Sequence, residues 1–151
     1  MEQKLPKRSE VPVELTWNLA DIYSNENDWE ADLKRVLSLA DEFSLLSGKF
    51  TADAKSFLSA WDLYEKFLLI GYRVAEYAAR YADQNTADSH GQELRGKAMS
   101  TMAQVEEKTA FFTPEVLALG ADTLAGFYKE EPGLKKYEVS INEIIRTKDH
   151  V

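Results

Sequence analysis

Two histidines, His90 and His150, stand 60 positions apart in this chain, and there is no cysteine. A mononuclear zinc hydrolase needs its imidazoles close together on one helix face or loop, so that spacing excludes most such motifs within the chain. The lack of cysteine removes disulfides, thiolate zinc sites, iron–sulfur clusters and cysteine nucleophiles together, and it fits a reducing cytoplasm. A di-metal carboxylate site in a helical bundle needs Glu-x-x-His pairs on facing helices. Three residues before His90 stands Ala87, and three before His150 stands Thr147, so neither pair exists. His90-Gly91-Gln92-Glu93 has the reverse order and reads as a solvated first helical turn. No glycine-rich phosphate loop is present.

The remaining candidates are aromatic and charged. Tyr64, Tyr72, Tyr77 and Tyr81 share one long apolar segment and could line a ligand groove. The spacing favours the simpler reading, in which each ring is buried at the edge of a core with its hydroxyl kept wet. Glu106-Glu107-Lys108 and Lys129-Glu130-Glu131 read as solvated helix faces. No catalytic, cofactor-binding or metal-binding residue is therefore assigned in this chain, and no cofactor.

The elements that carry these residues follow from length and periodicity. The chain has 151 residues, one domain's worth. Its net charge of −8 argues against nucleic acid or an anionic membrane as partner. No run of 18 apolar residues occurs, and the start has no signal-peptide pattern. All four prolines (Pro6, Pro12, Pro114, Pro132) lie towards the two ends, which leaves residues 13–113 free for long helices. The expected fold is all-α: an elongated antiparallel helical bundle with an extended N-terminal arm and short C-terminal helices.

Residues 1–24 form the arm, with Leu15, Trp17, Leu19, Ile22 and Tyr23 expected to pack onto the bundle. A first helix is predicted from Glu26 to Ser47, capped by Ser24 or Asn25 and stopped by Gly48. A second runs from Asp53 or Ala54 to Gln84. It carries two adjacent stripes, one through Phe57, Trp61, Tyr64 and Leu68, the other through Leu63, Phe67, Ile70 and Val74, too wide for one neighbour. A third is predicted over Ser89–Phe112. A short helix over 114–119 follows, capped by Thr113, and then one capped by Asp122. The last, Leu134–Arg146, turns Leu134, Tyr137, Ile141, Ile144 and Ile145 inward.

Three segments add a resemblance. They are LPKRSEVPVELTWNLADIYSNENDWE (Leu5 to Glu30), EYAARYADQNTADSHGQ (Glu76 to Gln92) and AFFTPEVLAL (Ala110 to Leu119). In that order and spacing the chain resembles the amino-terminal part of oligoendopeptidase F, a zinc metallopeptidase family related to thimet oligopeptidase. The segment Leu15 to Tyr23 followed by Trp29 is the most telling piece. The resemblance implies a cytoplasmic zinc-dependent parent whose catalytic domain, with its His-Glu-x-x-His motif, lies downstream of Val151. No residue here matches that motif, so no metal ligand or catalytic group carries over.

On this reading residues 25–151 are a lid or channel-wall domain that confines oligopeptide substrates. Its partner is the downstream catalytic domain, and the exposed second or last helix supports a weak homodimer in isolation. The end at Asp149-His150-Val151 reads as a cut between elements. The alternative is a free-standing helical protein-interaction module.

Overall fold

The computed structural model describes residue 6 and residues 10–147, and His150 lies outside the described residues. Six α-helices are present among them, and no strand: α1 Glu26–Ser44, α2 Ala54–Gln84, α3 Ser89–Thr109, α4 Phe112–Ala118, α5 Ala121–Glu130 and α6 Glu138–Arg146. The all-α expectation holds.

Helix α2 organises the rest. At about 1.5 Å per residue, its 31 residues extend roughly 45 Å. The Asp53 side chain accepts from the Ser56 N–H at 2.8 Å and caps its start. The doubled apolar face is divided among neighbours. Antiparallel α1 and α3 pack on it and on each other, closing a three-helix bundle, while α5 and the 3₁₀ segment Pro132–Tyr137 cover part of its N-terminal half. Trp29, Val36, Ala40 and Phe43 of α1, Phe67, Val74 and Ala78 of α2, and Leu94, Ala98 and Val105 of α3 fill the interior. The Trp29 indole N–H donates to the Val74 carbonyl at 2.9 Å, which satisfies the polar atom of a fully buried ring.

Close approach between α2 and α3 depends on a glycine. A Cβ built at Gly91 would stand 3.1 Å from the Ala82 Cα, a backbone atom that cannot swing aside. Between Gln84 and Ser89 the chain leaves α2 through a polar turn, and Asp88 caps α3 by accepting from the His90 and Gly91 N–H groups.

Several boundaries and packing assignments differ from expectation. Helix α1 stops at Ser44, three residues early, because Leu45, Leu46 and Ser47 donate to carbonyls three residues back and tighten the chain into turns. Gly48 then takes a φ of +71°, the left-handed conformation glycine adopts without strain. Its N–H donates to the Glu115 carboxylate at 2.9 and 3.0 Å, and Ser47 Oγ donates at 3.1 Å, so an acid in the first turn of α4 closes the turn after α1.

Helix α3 ends at Thr109, and α4 begins at Phe112 with no side-chain cap from Thr113. The break lets consecutive rings, Phe111 and Phe112, both face Phe43 and Phe50. Pro114 falls in the first turn of α4, where a missing N–H costs no helical hydrogen bond. Gly120, not Asp122, precedes α5, and Asp122 lies within its first turn, where the helix dipole favours an acid.

The predicted last helix is split into Pro132–Tyr137 and α6. Leu134, Tyr137 and Ile141 are buried as expected and Ile144 is half-buried, but Ile145 is exposed. In the arm, Leu19 and Ile22 pack against the core and Tyr23 is buried, whereas Leu15 and Trp17 are 74% and 78% exposed. Only the turn Leu19–Asp21 and its neighbours reach α2, so the residues before it lack a surface to cover.

Two substitutions test this packing. Trp61 is buried between Phe57, Tyr64, Phe112 and Tyr137. Trp61→Ala is expected to lower unfolding free energy by about 3–5 kcal/mol, read from denaturant midpoints. Gly91→Ala should destabilise despite alanine's better helix propensity, by about 1–3 kcal/mol for an overpacked contact. A midpoint raised by Gly91→Ala would show that α2 and α3 are not in tight register there.

Candidate functional site

Of the residues singled out for chemistry, the structure brings Tyr77, Tyr81 and His90 into successive ring contact and places Tyr64 and Tyr72 on a separate groove. His90 lies in the first turn of α3, where its Nε2 meets Glu26 Oε1 of α1 at 2.8 Å and its ring meets Tyr81 edge-on at 5.7 Å. The hydrogen bond to Glu26 and nearby acids hold the imidazolium pKa above its ordinary 6.5. Among the described residues no group of three or more His, Cys, Asp or Glu side chains could hold a metal ion.

Of the four tyrosines, Tyr77 is buried, and Tyr64 and Tyr81 are half-buried against the core. Tyr64 stacks on Phe112 with centroids 4.4 Å apart. Burial pushes the hydroxyls of Tyr64 and Tyr77 above the usual tyrosine range. Tyr72 differs: it is 63% exposed and lines a groove. Of the charge clusters, Lys108 pairs with Asp41 across α1 and α3, while Glu106 and Glu107 are exposed.

A polar recess beside the arm is a structural clasp. Arg73 donates to the Ile22 carbonyl at 2.8 Å, lies 4.7 Å from the Tyr23 ring centroid and approaches Asp32 at 3.9 Å. The Tyr23 hydroxyl donates to Asp32 at 2.9 Å. Burial first, then this bond, raises its pKa well above the tyrosine range. The cation and the carboxylate are thus already committed to holding the arm on α2.

Helix α6 is flanked by two grooves. The first, of about 450 Å³, lies between α2 and α6 and is lined by Trp61, Leu68, Leu69, Tyr72, Val139 and Ile144. The second, of about 410 Å³, lies on the α4–α5 side and is lined by Leu119, Leu124, Tyr128, Asn142 and Ile145. Trp61 Nε1 and the Tyr128 hydroxyl are buried polar atoms without a hydrogen-bond partner. Leaving such a group unsatisfied costs about 1–3 kcal/mol.

The charges beside the first groove are engaged. Tyr137 Oη lies 2.7 Å from Asp62 and 3.1 Å from Glu65, and Glu143 pairs with Arg146. Burial and the Asp62 contact raise the Tyr137 pKa to about 12. Lys136 meets Asp62 at 2.8 Å, and its pKa is raised above the lysine range by that bond. The second groove was not legible in the sequence, because Ile141, Ile144 and Ile145 read as one inward face. Val139, about 200° of helical rotation from Ile141 at 100° per residue, was the signal that α6 is apolar on more than one side.

Comparison with known proteins places this architecture. The chain is 34% identical over 148 residues to Oligopeptidase PepF of Bacillus subtilis (strain 168), covering 98% of this chain and 22% of that relative. It is 32% identical over 150 residues to the plasmid-borne oligoendopeptidase F of Lactococcus lactis subsp. cremoris, covering 95% and 24%. The crystal structure of oligoendopeptidase-F from Enterococcus faecium superposes with a TM-score of 0.78 at 25% identity, over 84% of this chain and 25% of that one. The chain is similar to the amino-terminal part of oligoendopeptidase F. The family model described as Oligopeptidase F matches residues 115–151. That stretch begins in α4 and contains α5 and α6. The chain spans about a quarter of the length of the oligoendopeptidase F relatives it matches.

The Glu26–His90 contact carries a pH prediction. Because the folded-state pKa of His90 is raised, its contribution to stability is complete below pH 6.5 and is lost as pH rises through the folded value. Melting temperature measured between pH 5 and pH 9 should therefore fall through that window. In Glu26→Gln this fall should shrink, and an unchanged profile would show that the pair does not form in solution.

Proposed function

We propose that this chain is the non-catalytic amino-terminal domain of a zinc-dependent oligoendopeptidase, forming a wall or lid of the channel that admits peptides to a catalytic domain elsewhere in the polypeptide. The observation that carries the reading is the form of the match: nearly the whole chain aligns, but to only 22–25% of each relative. A wall of this kind needs long, stiff elements rather than reactive groups. The 31-residue α2, braced by α1 and α3, is such an element.

The reading assigns substrate contact and confinement to these helices, and bond cleavage to residues outside them. Zinc belongs to that other part on this proposal, since the described side chains offer no fitting ligand set. A cytoplasmic location belongs to the same proposal and agrees with a sequence free of cysteine. No helix among the described residues is long and apolar enough to cross a membrane.

The purified chain, incubated with zinc and an internally quenched nonapeptide, is expected to give no cleavage above a blank. Cleavage that requires zinc and stops on addition of a chelator would place the catalytic groups in this chain and overturn the reading.

A further inference from the structure

We infer that the groove between α2 and α6 is a binding site for an arginine side chain of an oligopeptide, with the guanidinium on the Glu65 carboxylate and the methylene stem along the apolar wall of α2. The inference rests on the reading of these helices as a wall that peptides pass. It adds which side chain the wall takes, and where.

The α2 wall of the groove is a single row. Glu65, Leu68, Leu69 and Tyr72 stand at i, i+3, i+4 and i+7, which puts a carboxylate, two aliphatic side chains and an exposed ring on one helix face. Val139, Ser140 and Ile144 of α6 stand across from them. Beside Glu65 the groove is lined by Tyr64 and by Tyr137, whose ring stacks on Trp61 with centroids 5.3 Å apart. The volume of about 450 Å³ lies within the roughly 300–1,000 Å³ of small-ligand sites. It is room for one long side chain and the backbone that carries it.

Charge names the ligand. Of the carboxylates here, Asp62 meets Lys136 at 2.8 Å and Glu143 pairs with Arg146. Glu65 is exposed, and its neighbour is neutral: the Tyr137 hydroxyl at 3.1 Å. That hydroxyl has one proton for two carboxylates, and Asp62, at 2.7 Å, is the nearer. Among the described residues no Lys, Arg or His stands within ion-pair distance of Glu65. A neutral side chain laid in the groove would leave that charge uncompensated, and an acidic one would be repelled by it. A basic side chain completes it. Between the two long basic side chains the rings decide. Guanidinium is planar, more weakly hydrated than ammonium and stacks on aromatic faces. The net charge of −8 also draws a cationic peptide towards the molecule before contact.

The test titrates three end-blocked tripeptides, Ala-Arg-Ala and its Lys and Gln counterparts, into the purified chain and follows backbone amide shifts by NMR. The arginine peptide is expected to shift amides over residues 65–72 and 139–144. It should bind at least about threefold more tightly than the glutamine peptide, the scale of a surface ion pair, and more tightly than the lysine peptide. Glu65→Gln should abolish the preference over glutamine; the side chain is exposed, so the change leaves the core intact. Equal affinity for the arginine and glutamine peptides, a preference that survives Glu65→Gln, or shifts confined to residues outside α2 and α6 would overturn the inference. A lysine peptide bound as tightly as the arginine one would overturn the assignment to guanidinium. Cleavage is scored separately with the quenched nonapeptide and zinc. A chain that prefers arginine and also cleaves keeps this inference and defeats the functional reading, while a chain that neither cleaves nor prefers arginine does the reverse.

Discussion

The Phe112 ring sits where α1, the turn after it, α2 and α4 meet. Its centroid is 4.4 Å from that of Tyr64, 4.9 Å from Trp61, and 5.2 Å from both Phe43 and Phe50. Those four rings come from α1, the turn after it and α2, while Phe112 itself opens α4. Offset and edge-to-face contacts of this kind are individually worth about 0.5–1.5 kcal/mol beyond burial. Tyr137 extends the cluster by stacking on Trp61 at 5.3 Å, which ties the segment leading into α6 to the middle of α2. The three-helix bundle and the C-terminal helices are thus joined by one aromatic junction. The Glu115 bond to Gly48 makes a second, polar tie across the same seam.

That junction explains which features could be read from the sequence. The bounds of α2 were legible because a proline-free run and a doubled 3.6-residue period agree over 31 residues. The Asn25 cap and the buried stripe of α1 were legible for the same reason. What escaped was decided by contacts distant in sequence. Thr113-Pro114-Glu115 looks like a local helix start, but the helix starts at Phe112, where Phe111 and Phe112 both pack on Phe43 and Phe50. In the arm, Trp17 has the composition of a core residue and no partner within reach. Of the candidate site, Tyr72 was visible as part of a stripe, whereas its pairing with Val139 across a groove depended on where the 3₁₀ turn Pro132–Tyr137 aims α6.

The polar contacts follow from the same packing. The interior consists of packed rings and aliphatics, and three ionic groups at its margin act as clasps: Arg73 for the arm, Lys136 for Tyr137 and Asp62, His90 for the N-terminal ends of α1 and α3. The similarity to oligoendopeptidase F runs over almost the whole of this chain and about a quarter of the relatives.

If the aromatic junction makes one cooperative unit of the bundle and the C-terminal helices, denaturant unfolding followed by helical circular dichroism and by near-ultraviolet aromatic signal should give a single coincident transition. In Phe112→Ala the two signals should separate, with the C-terminal helices melting first. Two transitions already present in the parent chain, or an undivided one in Phe112→Ala, would contradict the account.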